Sequence, residues 1–473
     1  MQTAQVRKAE FEHGLRRELG LWDLVLTQIL FVIGLQWVGV AAKLGPSHVV
    51  FWLIAVALFY IPSAIAVIFL SRRMPLEGGL YQWAKLGFGE WAGFMVAWNL
   101  WLYAMVLMSE AGLHVATNLA YATGIEWIAE SKWCIAGASF FVIAVLTVLS
   151  TVGLSAGKWL HSAGGVIIVV VLGAMVLLPV VAWLRGVKPI TKPFDFAMPA
   201  LTLLNLNILG KLGFGALGGF EYVAIFAGEC RDPGKLIGRS VIIASPVIAL
   251  LFILGTASVL FFVPMNAIDL ISPVGQVLSV AAGPVAAAAR IASAVILAVV
   301  AVRIAQTSVN FSATARLPMV AGWDNLLPAW FTKLHRRFRT PAHSILFVGA
   351  VTLAFSWLGI SGVGSQEAMQ LFNNASGIFY AITYVALFAL PLVHREASAW
   401  VRIASASGLG MTLLYIALSI FPIIQVGNRA LFTAKICTVI VAGNIIGLLI
   451  FEVAKRRYPD LRNPSRIADF KTD

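Results

Sequence analysis

The sequence predicts an all-α protein that crosses a membrane many times, and three observations carry this prediction. Of its 473 residues, 60% are hydrophobic and only 12% are charged, whereas a soluble domain carries roughly 25% charged residues. Continuous apolar runs recur along the chain at about the 20-residue length that crosses a bilayer. Two of these runs contain glycine-rich interruptions five spans apart, a pattern typical of an inverted repeat with broken helices. A membrane β-barrel is excluded, because its strands would alternate between polar and apolar residues.

The apolar runs define twelve predicted spans. Their positions are 20–43, 48–70, 91–118, 133–153, 162–184, 201–227, 240–264, 286–315, 342–360, 368–392, 401–423 and 432–454. Spans one to five would form the first repeat (20–184) and spans six to ten the second (201–392), because an odd offset reverses the direction of crossing. Spans eleven and twelve (401–454) would be additions to this core.

The net charge of +13 is interpreted as an orientation signal. Most of the Lys and Arg residues fall in loops on one side of the predicted bilayer, including both tails (1–19 and 455–473). Basic loops face the cytoplasm, so we expect both termini there, in a cell membrane and without a cleaved signal peptide. Topology accounts for the basic excess, and we therefore predict no nucleic-acid partner. Three well-separated cysteines offer neither a metal site nor a disulfide framework, and no cofactor is predicted.

The two glycine-rich interruptions are the first candidates for a binding site. Span one contains Gly34 and Gly39, whereas span six contains five glycines between Gly210 and Gly219. A glycine inside a helix costs roughly 1 kcal/mol relative to alanine, so these glycines need a reason. One reason is close packing of helices through small residues. The other is an unwound segment whose freed backbone groups bind a polar ligand.

Ionisable residues inside the spans are the second group of candidates, since charge is costly at that depth. Glu110 and His114 lie four residues apart and share one helix face. Glu110 would bind a substrate amine or a proton, or would pair with Lys211, Arg290 or Arg303. Both interpretations are open from the sequence.

Glu221 lies just after the glycines of span six. Its carboxylate would cap exposed amides of the broken helix or take part in proton coupling. Bracing of the break and a coupling role remain alternatives at this point.

Three motifs, in order along the chain, resemble those of one transporter family. They are Pro75-x-x-Gly78-Gly79-x-Tyr81 after span two, Gly218-Gly219-Phe220-Glu221 with Glu229-x-x-x-Pro233 at span six, and 312–341 after span eight. Together they resemble the amino acid–polyamine–organocation superfamily over roughly the first ten spans. The resemblance implies a leucine-transporter-type fold of five plus five inverted helices. It also implies alternating access for a small amino acid or amine, with no chemistry on the substrate and hence no enzyme.

The resemblance further implies a substrate site between broken helices one and six. Its predicted members, with Glu110, are Ile33, Gly34, Leu35, Gln36, Trp37, Phe214, Gly215, Ala216, Leu217 and Gly218. The family's first helix usually has a Gly-Ser/Thr-Gly turn, whereas this chain has Gly34-Leu35-Gln36. These larger side chains crowd the turn whose amides meet the substrate carboxylate, and Gln36 would supply a side-chain amide instead. Phe214 would replace the aromatic gate that relatives place near Gly215.

Coupling residues are also implied by the resemblance. The Lys158 ammonium stands where sodium-coupled relatives bind a cation, which favours coupling to a proton over sodium. A lysine that snorkels to the interface is the alternative. Thr307 and Ser308 in span eight resemble sodium-ligand positions, although small polar residues also serve in helix packing. Symport and exchange both remain open.

Two other functions are weighed against an amino acid permease. Glu110, Glu221 and the crowded first turn also suit a permease for polyamines or other organic cations. A receptor-like protein that binds an amino acid without transporting it would use the same fold. A membrane enzyme is not favoured, because the sequence shows no recognisable nucleophile–base set.

Overall fold

The computed structural model describes residues 20–74, 79–152, 157–221, 233–320, 327–338 and 340–457. Throughout these ranges the regular structure is helical and no strand occurs. Nine helices of this described part are long and apolar enough to cross a membrane. The chain is therefore an all-α polytopic membrane protein.

The described residues of the first half of the chain form ten α-helices. They are α1 (Leu21–Val32), α2 (Trp37–Ala42), α3 (His48–Ala55), α4 (Ile61–Arg73), α5 (Leu80–Phe88), α6 (Glu90–Met108), α7 (Ala111–Thr123), α8 (Trp127–Glu130), α9 (Lys132–Val152) and α10 (Gly157–Leu184). A π-helical turn, Val56–Tyr60, joins α3 to α4 without interrupting the crossing.

The second half forms nine more. They are α11 (Leu203–Gly210), α12 (Pro233–Phe262), α13 (Pro273–Ala282), α14 (Ala286–Val320), α15 (Ala329–Thr332), α16 (Ala342–Ile360), α17 (Ser365–Val393), α18 (Ala399–Leu418) and α19 (Arg429–Arg457). A second π-helical turn, Lys211–Ala216, continues α11.

The crossing made by α6 and α7 and the one made by α17 lie at the centre of the bundle. Their most apolar segments are 72% and 61% buried within the protein, whereas that of α19 is 17% buried. Large apolar side chains such as Trp400 and Leu203 are exposed on the outside. Such a surface suits hydrocarbon, which is the environment that a spanning helix requires.

Two crossings are broken near their middle, as an inverted repeat with discontinuous helices requires. Between α1 and α2 the residues 33–36 are not helical. After the second π-helical turn the chain leaves the helix at 218–220, and Gly219 has a φ of +125°. That conformation favours glycine, because it has no Cβ to clash with the backbone.

Some glycines of span six serve in close helix packing and others in unwinding, the two roles that the sequence left open. Gly210 and Gly213 lie in helical turns, and a Cβ on Gly213 would lie 2.7 Å from Met411 Cε. Gly218 and Gly219 lie at the break itself. Close packing therefore explains the earlier glycines and unwinding the later ones. The unwound segment is confined to 218–220, because the π-helical turn Lys211–Ala216 retains backbone hydrogen bonding before it.

A third interruption separates α6 from α7 at Ser109 and Glu110, where the sequence predicts one unbroken span. The Ser109 hydroxyl donates to the carbonyls of Met105 (2.8 Å) and Thr352 (3.0 Å). This turn brings the start of α7, and Glu110 with it, to the centre of the bundle.

Candidate functional site

A cavity of about 150 Å³ lies where the two broken crossings meet. It is roughly ten times the ~10–15 Å³ that one water needs, so it has room for a small molecule. Its lining includes residues from both breaks and from the helices around them: Ile33, Gly34, Gln36, Trp37, Tyr103, Glu110, Phe214, Gly215, Gly218, Arg303, Ala305, Gln306, Thr307, Asn310, Asn373, Ser376 and Tyr380. Its walls thus come from α1, α2, α6, α7, α14, α17 and the second π-helical turn. A concave, mostly apolar space with a few polar groups is typical of a ligand site.

The indole of Trp37 connects the two breaks. A Cβ built on Gly215 would lie 2.6 Å from Trp37 Cη2, and one on Gly34 would lie 2.7 Å from Trp37 Cδ1. Both distances are shorter than real Cβ contacts allow. Glycine at these two positions therefore lets the ring lie against both broken segments at once. The same ring covers Gly34, the first residue of the crowded turn.

Glu110 is paired with a cation on the opposite wall. Its carboxylate forms an ion pair with the Arg303 guanidinium, and the Glu110 side chain is 1% exposed whereas that of Arg303 is 24% exposed. Arg303 Nη2 also lies 2.9 Å from His114 Nε2. The same ring nitrogen lies 3.3 Å from Glu110 Oε1, so His114 contacts both members of the ion pair. Of the cations proposed for Glu110, the structure selects Arg303.

Glu221 is held by phenols. Its two carboxylate oxygens accept hydrogen bonds from the hydroxyls of Tyr380 and Tyr384. The Gly219 N–H donates to the Tyr384 hydroxyl over 2.7 Å. The cluster therefore ties the glycine at the break to α17. Glu221 is buried beside the cavity and does not line it.

Lys211 is a buried cation at the start of the second π-helical turn. It is 2% exposed, its Nζ donates to Asn374 Oδ1, and it lies 5.7 Å from the centroid of the Tyr415 ring. No carboxylate of the described residues forms an ion pair with it. Burying a charged group without an ionic partner costs free energy. Packing alone therefore does not explain why a lysine occupies this position.

A smaller cavity of about 40 Å³ adjoins the first. The two share Ile33, Gln36, Val302, Arg303 and Gln306, and the smaller one extends toward His114, Asn118 and the start of α13 at Ser272 and Pro273. Arg303 therefore stands at the partition between the two spaces. Among the described residues, no group of three or more His, Cys, Asp or Glu is arranged to hold a metal ion.

Comparison with known proteins gives the family. A model of the amino acid permease family matches residues 19–450, most of the chain. The chain belongs to the amino acid permease family. Two curated relatives from Bacillus subtilis are a methylthioribose transporter and a branched-chain amino acid permease. They are 26% and 25% identical, over 82% and 80% of this chain and 84% and 82% of their own.

A solved structure of MhsT in complex with L-phenylalanine shares the fold of this permease. The TM-score is 0.58 at 13% identity, and the match covers 86% of this chain and 99% of the other. The predicted leucine-transporter-type architecture, with broken helices one and six, is thereby confirmed. The predicted membership of the amino acid–polyamine–organocation superfamily is confirmed as well.

The permease cavity gathers many of the residues that the sequence singled out. Ile33, Gly34, Gln36, Trp37, Glu110, Phe214, Gly215, Gly218 and Thr307 line it. Leu35 lines only the smaller cavity, while Ala216 and Leu217 are buried behind the break. Ser308 does not line either space, and the Thr307 hydroxyl donates to the Arg303 carbonyl over 2.8 Å within α14. The side chain of Lys158 lies outside the described residues.

Sequence reasoning missed several residues of this permease. Asn310 and Asn373 line the cavity without having been singled out, and Tyr380 and Tyr384 hold Glu221. The two tyrosines lie four residues apart on α17, and that spacing was visible in the sequence. The asparagines gave no comparable signal, because isolated amides also occur in helix packing.

Proposed function

We propose that this permease is a secondary-active transporter that moves a small amino acid or a related amine by alternating access. The observation that carries the proposal is the cavity between 33–37 and 214–218, at the junction of two broken crossings. Transporters of this architecture bind substrate near the bilayer midplane between such segments. The cavity is lined both by the polar side chains of Asn310, Asn373 and Ser376 and by the rings of Phe214 and Tyr380, a combination that would orient a small amphiphilic molecule.

The state of Glu110 favours an amino acid over a polyamine. A polyamine site needs unneutralised negative charge, but Arg303 already compensates this carboxylate. The Glu110 carboxylate, which was the main support for a polyamine substrate at this position, therefore no longer favours one. The name of the branched-chain permease from Bacillus subtilis also agrees with an amino acid substrate.

Coupling to a proton, or exchange of one substrate for another, completes the proposal. It rests on Lys158 at the sodium-equivalent position. Glu221 would brace the break through Tyr380 and Tyr384, with a proton relay as its alternative role. The basic loops support a location in a cell membrane with both termini in the cytoplasm.

Uptake by the purified protein in liposomes tests the transport proposal. Labelled amino acids and amines are supplied with an inward proton gradient, an inward sodium gradient, or unlabelled substrate inside. We expect accumulation with a proton gradient or internal substrate, and a weaker response to sodium. Replacement of Lys158 by Gln should abolish the response to the proton gradient. Ligand binding without uptake under every condition would instead identify a sensor.

A pair of matched substitutions on α14 tests the location of the site. Ala305 lines the cavity, whereas Ala301, one turn away, is exposed on the outside of the bundle. Leu at position 305 would occupy the space needed by a ligand, so affinity should fall by about tenfold or more. Leu at position 301 should leave affinity unchanged. Equal affinities in the two variants would place the substrate elsewhere.

A further inference from the structure

Arg303 presents unused hydrogen-bond donors to the cavity. A guanidinium has five N–H donors. Both hydrogen bonds that Arg303 forms leave from Nη2, toward Glu110 and His114. Nη1 and Nε have no partner among the described residues. A partly exposed cation with free donors at a cavity wall is arranged to receive an anionic group.

The charge that a ligand would meet at this wall is positive. Among the described residues that line the cavity, Glu110 and Arg303 are the two with an acidic or basic side chain. The Glu110 side chain is almost fully buried, whereas that of Arg303 is partly exposed. One Glu110 oxygen bonds to Arg303, and the other is buried without a partner. The guanidinium is thus the exposed half of the pair.

The usual place for a substrate carboxylate is obstructed in this chain. The Trp37 ring lies against Gly34, and Gln36 Nε2 is 3.2 Å from a Cβ built on that glycine. Two side chains therefore crowd the space beside Gly34 in this turn. An anionic end that cannot enter there needs a donor on another wall.

We infer that Arg303 on α14 binds the carboxylate of the substrate and makes this site selective for amino acids over their decarboxylated amines. The inference rests on the proposed function, and it names the substrate class of the same cavity. Glu110 fixes the guanidinium through Nη2 and leaves Nη1 and Nε for the ligand. Arg303 also borders the smaller cavity, so an entering carboxylate meets it at the partition.

Paired ligands test this selectivity without any mutation. The purified permease is titrated with L-leucine and 3-methylbutylamine, L-phenylalanine and 2-phenylethylamine, and L-arginine and agmatine, and with the methyl esters of the three amino acids. Loss of one charge-assisted hydrogen bond should weaken binding by roughly 10- to 100-fold. We expect at least one amino acid to bind that much more tightly than its amine and its ester.

Substitution of Arg303 then assigns the preference to this residue. The double variant E110Q/R303Q replaces the ion pair with two amides and avoids an unpaired buried carboxylate, and its thermal stability is checked first. We expect its preference for the acid over the amine to disappear. The matched control is R290Q, because Arg290 is exposed on the same helix. It should keep the preference of the unmodified protein.

Each outcome has a separate meaning. A folded E110Q/R303Q that keeps the preference overturns the role of Arg303. Amines or esters that bind the unmodified protein as tightly as amino acids overturn the selectivity, while the proposed transport of amino acids or amines stands. No binding or uptake of any of these compounds would overturn the proposed function, and the inference with it.

Discussion

Two glutamates are buried near the breaks of this permease, and they have opposite kinds of partner, one charged and one uncharged. Glu110, 1% exposed, is paired with the Arg303 cation on the wall of the cavity. Glu221, 3% exposed, forms no ion pair within the described residues and is held by the hydroxyls of Tyr380 and Tyr384. The Arg303 guanidinium keeps N–H donors that a ligand can use. Both oxygens of the Glu221 carboxylate, in contrast, already accept hydrogen bonds from phenols. The first arrangement suits recognition, and the second suits a fixed backbone.

The largest effect should follow the loss of one partner of the ion pair. Replacement of Arg303 by Met leaves the Glu110 carboxylate buried without a cation, which typically costs about 3–5 kcal/mol. We expect a loss of unfolding free energy toward the lower end of this range, because Arg303 is partly exposed. Thermal unfolding in detergent measures it, and E110Q/R303Q should recover most of the loss. A change below about 1 kcal/mol in the single variant would show that the pair is not tightly desolvated.

A smaller effect should separate the two tyrosines around Glu221. Tyr384 donates to the carboxylate and also accepts from the Gly219 N–H, whereas the contact described for Tyr380 in this cluster is its donation to the carboxylate. Tyr384→Phe leaves a carboxylate oxygen and an amide unsatisfied, so it should cost about 2 kcal/mol, and Tyr380→Phe about 1 kcal/mol. Unfolding of both variants under identical conditions gives the ranking. A reversed order would contradict the proposed bracing of the break through Tyr384.

The smallest effect is expected from a paired replacement at Lys211, which forms no ion pair with a carboxylate of the described residues. The double variant Lys211→Met with Asn374→Leu removes both members of the buried contact, and such paired replacement is nearly neutral or stabilising. Lys211→Met alone should cost about 1–2 kcal/mol, because it leaves the Asn374 oxygen unsatisfied. Unfolding temperatures of the three proteins provide the comparison. A large loss in the double variant would mean that the buried lysine stabilises the fold, and Lys211 would then no longer rank below the two glutamates.

The sequence predicted the architecture because the signals for it are local. The lengths of the apolar runs define the membrane crossings. Gly34 and Gly218 mark two of the places where a helix stops. His114 was also assigned correctly to the Glu110 face, since a spacing of four residues fixes a helix face.

The partners across the bundle were beyond the reach of the sequence. Glu110 had three candidate cations within the predicted spans, and only the packing of α14 against α7 selects Arg303. The reach of Trp37 across to Gly215 likewise depends on the angle between two broken helices. Such pairings follow from the positions and rotations of whole helices, which no local pattern encodes.

The indole ring of Trp37 follows the first break, and the glycine it packs against, Gly215, precedes the second. The proposed alternating access requires relative movement of the two broken crossings. That movement would first separate the ring from the glycine, so the contact would act as a latch with an adjustable strength. A residue larger than glycine at 215 would hold the latch open and shift the population toward conformations in which the repeats are apart. Under the proposed alternating access, one hydrogen atom in place of a methyl group at 215 would therefore help to set how long the transporter waits between its two orientations.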